Sequence, residues 1–147
     1  MKKHLLSIAS VLSIYVALTA VPASAQVTRQ MTVTIPFDFT VEKTALPAGT
    51  YAVYALGSSQ SDGLLLRDAE GHAKTVVVTH AVRSRDLSGR ARLEFRRYGG
   101  HYFLARVWAA ESDTGRELIQ SRLEREYARG RELRAAKPEV VSIAAGR

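Results

Sequence analysis

Short apolar-alternating runs separated by turn residues every 8 to 12 positions dominate this chain from Met31 to Ala110, and that spacing leaves little room for anything but a sheet. Met31 to Val41 reads as extended chain. Thr32, Val33, Thr34 and Ile35 alternate, Pro36 interrupts the ladder, and Phe37, Phe39 and Val41 then share one face. A proline in such a run marks an edge strand or a bulge between two short strands. Leu46-Pro47-Ala48-Gly49 is a turn, because proline presets φ and glycine accepts positive φ. It launches a strand over Thr50 to Leu56. A polar loop, 57 to 63, follows, and Leu64, Leu65 and Leu66 open the next strand. Asp68-Ala69-Glu70-Gly71 is a hairpin turn into Ala73 to Val82, whose Val76, Val77 and Val78 suggest a central position. Arg92 to Tyr98 and His101 to Ala110 flank Gly99-Gly100, a strong hairpin signal.

After Gly115 the pattern changes. Ser121-Arg122-Leu123-Glu124 is a capping box, and the spacing predicts a helix from about Arg122 to Ala136, with Leu123 and Tyr127 on one face and Pro138 as its end. Glu139 to Ala144 is either a last strand or a frayed tail. The expected fold is therefore mainly β: a small antiparallel sandwich or barrel-like sheet of about seven strands with one C-terminal helix on the same domain.

The N terminus carries a different signal. Lys2 and Lys3 precede an uncharged apolar run, Leu5 to Val21, then Pro22 and Ala23-Ser24-Ala25. That order is a secretory signal peptide, with cleavage expected between Ala25 and Gln26. The run is short for a spanning helix, and no second one follows. The expected location is periplasmic or secreted. The chain has no cysteine, which excludes a lipoprotein anchor, disulfides and thiolate chemistry. Of its 21 basic residues, 19 remain after loss of Lys2 and Lys3, against 14 acidic ones. Only Lys43, Lys74 and Lys137 of those are lysines.

Several segments together resemble a family of small secreted acidobacterial proteins of unknown function. They are Val33-Thr34-Ile35-Pro36-Phe37-Asp38-Phe39, Leu46-Pro47-Ala48-Gly49-Thr50-Tyr51, the Phe95 to Gly99 stretch, Tyr102-Phe103-Leu104 with Trp108, and Gly115 to Leu118 with Ser121 and Glu124. The resemblance implies export and a small β-rich domain, and it implies no activity. The arginine density of Arg83 to Arg97 departs from that family.

Arg83, Arg85, Arg90, Arg92, Arg96 and Arg97 fall within fifteen residues, against Asp86 and Glu94. Arginine forks bind phosphates and carboxylates, so an envelope polyanion or polysaccharide is the matching partner. The plainer explanation is a solvated surface that discourages edge pairing. Tyr98, His101, Tyr102, Phe103 and Trp108 could form a stacking platform beside them. Strict alternation sends Tyr102, Leu104, Arg106 and Trp108 to one face, and Phe103, Ala105 and Val107 to a core-facing side; ordinary packing explains most of the set. His72, His80 and His101, with Asp68 and Glu70, have no metal-ligand spacing. No hydrolase elbow, zinc motif or cofactor motif occurs.

The leading expectation is a non-enzymatic extracytoplasmic β domain with a binding or envelope-structural role, engaging a polyanion or saccharide through Arg83 to Arg97, Tyr98, Tyr102 and Trp108. One alternative is a small metal-assisted or hydrolytic enzyme whose site assembles in space. Another is a subunit that adds a partner strand to an edge near Thr32 to Phe39.

Overall fold

The computed structural model describes residues 27–57, 63–84, 89–132 and 138–146. The expected leader, its Ala25–Gln26 cleavage point and Arg85 lie outside the described residues. The fold is mainly β with a helix near the C terminus, and among the described residues ten strands replace the expected seven or so. They are β1 (Val27–Ile35), β2 (Phe39–Val41), β3 (Thr44–Leu46), β4 (Gly49–Leu56), β5 (Gly63–Arg67), β6 (Ala73–Arg83), β7 (Arg92–Tyr98), β8 (His101–Trp108), β9 (Thr114–Leu118) and β10 (Glu139–Ala144). The helix α1 spans Arg122–Glu132.

Neighbours run β1-β4-β5-β6-β9-β8-β2-β3, and β7 leaves β8 on its other side to pair with β10. β6 joins the two halves of this sheet. Its first part pairs with β5 up to Val78, and its second part pairs with β9 from Thr79 onward. Among the described residues no ladder joins its ends into a closed barrel. Every ladder among those residues is antiparallel except a single parallel bridge, Thr40 to Phe103.

One core fills the space between the halves. Met31, Val33, Ile35, Tyr51, Val53, Leu64, Leu66 and Val77 enter it from the first half. Leu93, Phe95, Leu104, Val107 and Leu118 enter from the second. Phe39 meets Tyr51 and Phe95 edge-on, at 5.3 and 5.5 Å between ring centres. With no disulfide to constrain the unfolded chain, this apolar burial carries the fold.

Pro36 separates β1 from β2, as its position predicts. The Leu46 to Gly49 turn is clasped from outside: Asp38 Oδ1 accepts the Ala48 N–H at 2.8 Å, and the Tyr51 hydroxyl donates to the Pro47 carbonyl at 2.7 Å. Two segments that define the family resemblance thus meet in space. Asp68 organises the β5–β6 turn by accepting the His72 N–H at 2.7 Å. β6 lies between β5 and β9, yet of its three consecutive valines only Val77 is buried, with Thr79 beyond it; Val76 and Val78 face outward and are more than half exposed.

Two local expectations need correction, and one open alternative is resolved. The Glu94↔Arg106 and Phe95↔Leu104 pairs leave Ala105 as an extra residue, a β-bulge in β8. It resets the alternation, so Leu104 and Val107 share the core, while Phe103 and Trp108 are buried outside that cluster. On α1 the buried side is Glu124 with Tyr127 and Ala128 half-buried, whereas Leu123 is exposed. Glu139 to Ala144 is a strand, registered against β7 without irregularity.

Candidate functional site

The outward face of β7, β8 and β9 places charges of alternating sign beside one another. Arg92 Nε donates to Glu94 Oε1 at 3.0 Å, and Arg106 approaches Glu94 Oε2 at 3.5 Å. Arg106 also reaches Glu117 Oε1 at 3.1 Å, and Arg96 Nη2 donates to the same oxygen at 3.0 Å. Arg96 Nη1 then donates to Glu124 Oε1 at 2.9 Å, where the Tyr98 hydroxyl also donates at 3.2 Å. The chain of pairs runs from the sheet to the helix. Glu124 ends it as a carboxylate only 3% exposed.

A carboxylate at that depth is costly unless it is paired and hydrogen-bonded. Arg96 and Tyr98 supply both conditions. Burial opposes the charge on Arg96, but the hydrogen bond and charge of Glu124 outweigh it, so its pKa rises. Burial raises the Tyr98 pKa, and the Glu124 charge raises it further. Arg92 and Arg96, singled out as polyanion contacts, are thus committed to internal acceptors.

The remaining arginines are dispersed. Arg97 Nε donates to the Gly99 carbonyl at 2.8 Å, and Nη1 meets Glu139 at 3.2 Å. Arg83, at the end of β6, and Arg90 are exposed. They flank strand ends tied by the bonds Ser84 N–H to Asp113 carbonyl and Glu111 N–H to Gly89 carbonyl. The acidic residues of that second loop, Glu111 and Asp113, are themselves exposed. The basic sequence cluster is therefore not a single cationic surface among the described residues.

The aromatic set is largely internal. Tyr98 packs edge-on against Phe103 at 5.8 Å, and Tyr127 of α1 covers Phe103 at 5.6 Å. Trp108 is 4% exposed, with the Arg92 guanidinium 5.0 Å from its ring centre. Its approach to β9 explains Gly115: a Cβ there would stand 2.3 Å from Trp108 Cε3. Tyr102 is half-buried, with Phe37 stacked at 3.9 Å and Arg97 5.5 Å from the ring centre. With His101 it lines a cleft of about 440 Å³ against the β2–β3 hairpin.

The histidines do not share a site. His72 and His80 are separated by about 26 Å of extended chain along β6. His101 lies in the β7–β8 hairpin against Tyr127, at 4.3 Å. Asp68, Glu70 and His72 do bring ligand atoms within 4.8 Å of one another. Lys74 Nζ already occupies Asp68 Oδ2 at 2.8 Å, and that hydrogen bond holds the Asp68 carboxyl down to about 2. A metal ion would have to displace the ammonium.

The remaining feature is a backbone one. β1 pairs with β4 along its length and with no other described strand. Its register is irregular between Arg29 and Met31, and Pro36 ends it. The regular part is Met31-Thr32-Val33-Thr34-Ile35. Met31, Val33 and Ile35 face the core, and Thr34 is exposed. β10 is a second edge of six residues and β3 one of three. No helix among the described residues is long and apolar enough to cross a membrane. Comparison with known proteins matched no family model, no curated protein and no solved structure.

Proposed function

We propose that the chain is a non-enzymatic, extracytoplasmic β domain that joins a protein partner by accepting a strand along β1. The observation that carries the reading is that β1, regular over Met31 to Ile35, has a ladder on one side only among the described residues. Every second residue of an edge strand presents its N–H and C=O outward, and those groups form a template for another chain. Natural edges are blunted by lysine, proline, bulges or short length. In β1 the bulge and Arg29 fall inside the strand and Pro36 follows it, which leaves Met31 to Ile35 as the regular, uncharged part. An extended segment aligned there would extend the sheet, with specificity set by alternate side chains.

Export, which places this edge where a partner in the envelope could meet it, is supported by the n-region, apolar run and Ala23-Ser24-Ala25 site. The same reading sets the chain beside the small secreted proteins it resembles. Polyanion binding through Arg92 and Arg96 is the weaker reading, because an incoming phosphate would compete with Glu94, Glu117 and Glu124.

The test is a photo-crosslinking residue placed at Thr34 in the exported protein within its own cells, with Arg129 on the helix as the control position. The reading predicts a discrete adduct from position 34 and none from 129. It also predicts loss of that adduct when Thr32 becomes lysine. Equal adducts from both positions, or none from 34, would sink it.

A further inference from the structure

The side of β1 without a ladder also selects its partner, provided that β1 accepts a strand as proposed. The regular segment, Met31 to Ile35, is centred on Val33. Outward from Val33 the order is the same in both directions: a threonine, then a large apolar residue, Met31 on one side and Ile35 on the other. The breaks match as well. Gln30, which the register with β4 skips, and Pro36 each stand three residues from Val33. We propose that the partner is a second copy of this chain, its β1 antiparallel to the first about a two-fold axis at Val33.

A two-fold contact needs a surface that complements itself. That axis sets Val33 opposite Val33, Met31 opposite Ile35 and Thr32 opposite Thr34, and the skipped Gln30 of one copy meets Pro36 of the other. Residues directly opposite in an antiparallel pair lie on the same face of the sheet. Met31, Val33 and Ile35, buried in each copy, therefore fall on one face of the joined sheet and the threonines on the other. On that second face Thr34 Oγ1 lies 3.0 Å from Thr50 Oγ1 of β4. The second copy extends this pair into a row of hydroxyls, because its own Thr32 falls beside Thr34, and cross-strand threonine pairs are favourable.

Charge points to the same segment. The chain has 21 basic residues against 14 acidic ones, so two copies repel one another, and like charges directly opposite destabilise a strand pair. Met31 to Ile35 has no charge to oppose its copy. β10 lacks this symmetry: it begins with Glu139, and Val140-Val141-Ser142-Ile143 reads differently in reverse. It passes near β1, but no ladder joins the two among the described residues. A five-residue ladder is a small contact, so the pair separates on dilution and leaves the edge of the monomer open.

The lack of native cysteine makes the register testable. Directly opposite residues stand about 4.5–5.5 Å apart, within disulfide reach. Thr34 and its own counterpart, like Thr32 and its own, are diagonal neighbours about 7–8 Å apart, outside that reach.

The experiment uses the exported protein as Thr32→Cys and Thr34→Cys, each melting as wild type does, in a glutathione redox buffer. The mixture should give a disulfide joining one copy of each variant, in at least about tenfold greater yield than either variant alone gives with itself. Sedimentation of the wild type from micromolar to millimolar concentration should show a reversible monomer–dimer equilibrium that strengthens with salt, as screened repulsion requires. Thr32→Lys should weaken it by at least about tenfold. A wild type that is monomeric at millimolar concentration, or single variants that couple with themselves as well as the mixture does, would overturn the proposal. If the monomer still gives an adduct with a different protein from position 34 in cells, strand addition stands and the second copy is excluded; with neither dimer nor adduct, both are lost.

Discussion

Replacing Arg96 by methionine removes the cation that Glu124 depends on, and the structure sets the size of the effect. Glu124 is left with the Tyr98 hydroxyl at 3.2 Å on a side chain 4% accessible. Breaking a buried pair by removing one partner costs about 3–5 kcal/mol. Arg96 is 15% and its second partner Glu117 31% accessible, so solvent screens part of the lattice and about 2–3 kcal/mol is the expected loss. Urea denaturation at neutral pH reads it directly. The paired replacement Arg96→Met with Glu124→Leu removes both buried charges and should recover stability to within about 1 kcal/mol of wild type. Arg122→Ala is the internal control, because the Arg122–Glu126 pair is 87% and 54% accessible and should contribute less than about 0.5 kcal/mol. If Arg96→Met costs no more than Arg122→Ala, or if the double variant is no better than the single one, the argument for a pair that ties helix to sheet fails.

Three further expectations follow from named contacts. Gly115→Ala drives a Cβ into the Trp108 ring on a strand paired along both edges, and should cost about 1–3 kcal/mol by thermal melting; an unchanged midpoint would refute the close approach. Gly99→Ala should destabilise by about 1 kcal/mol because of its positive φ, while Gly100→Ala should leave the melting temperature where it was. Tyr51 and Tyr98 have pKa values raised above 10 by burial, so the folded state keeps protons that the unfolded state loses. Stability should therefore fall as pH rises above about 10, by at most about 1.4 kcal/mol per pH unit for each tyrosine; a flat profile there would contradict their burial.

What could be read from the sequence was set locally. Gly99 acts through its positive φ, and Pro36 and Pro47 through their fixed φ, so the β7–β8 hairpin and the breaks on either side of β2 and β3 were legible, whereas Gly49 opens β4 without the positive φ expected of it. Ser121 caps α1 as its spacing implies, accepting the Glu124 N–H at 3.1 Å, but the Glu124 carboxylate turns to Arg96 and Tyr98, partners that are distant in sequence. The β2–β3 hairpin gave no signal, because its turn uses Glu42 at φ 54° where a reader looks for glycine or asparagine. β9 has weak strand composition and exists through its ladders with β6 and β8. The bulge at Ala105 carries no residue signature, and it alone takes Phe103 off the core face it was expected to share with Val107. The arginine cluster was visible, while its neutralisation by Glu117 and Glu124 depended on a strand and a helix face that pattern could not place.

The account rests most heavily on β1 pairing on one side only among the described residues, and amide hydrogen exchange of the isolated protein tests that edge at single residues. In Met31 to Ile35, amides directed at β4 should be protected while the alternate ones exchange at near-loop rates, in contrast to β8, whose neighbours lie on both sides. Uniform protection across Met31 to Ile35 in the isolated monomer would show the edge already covered and would contradict strand addition there.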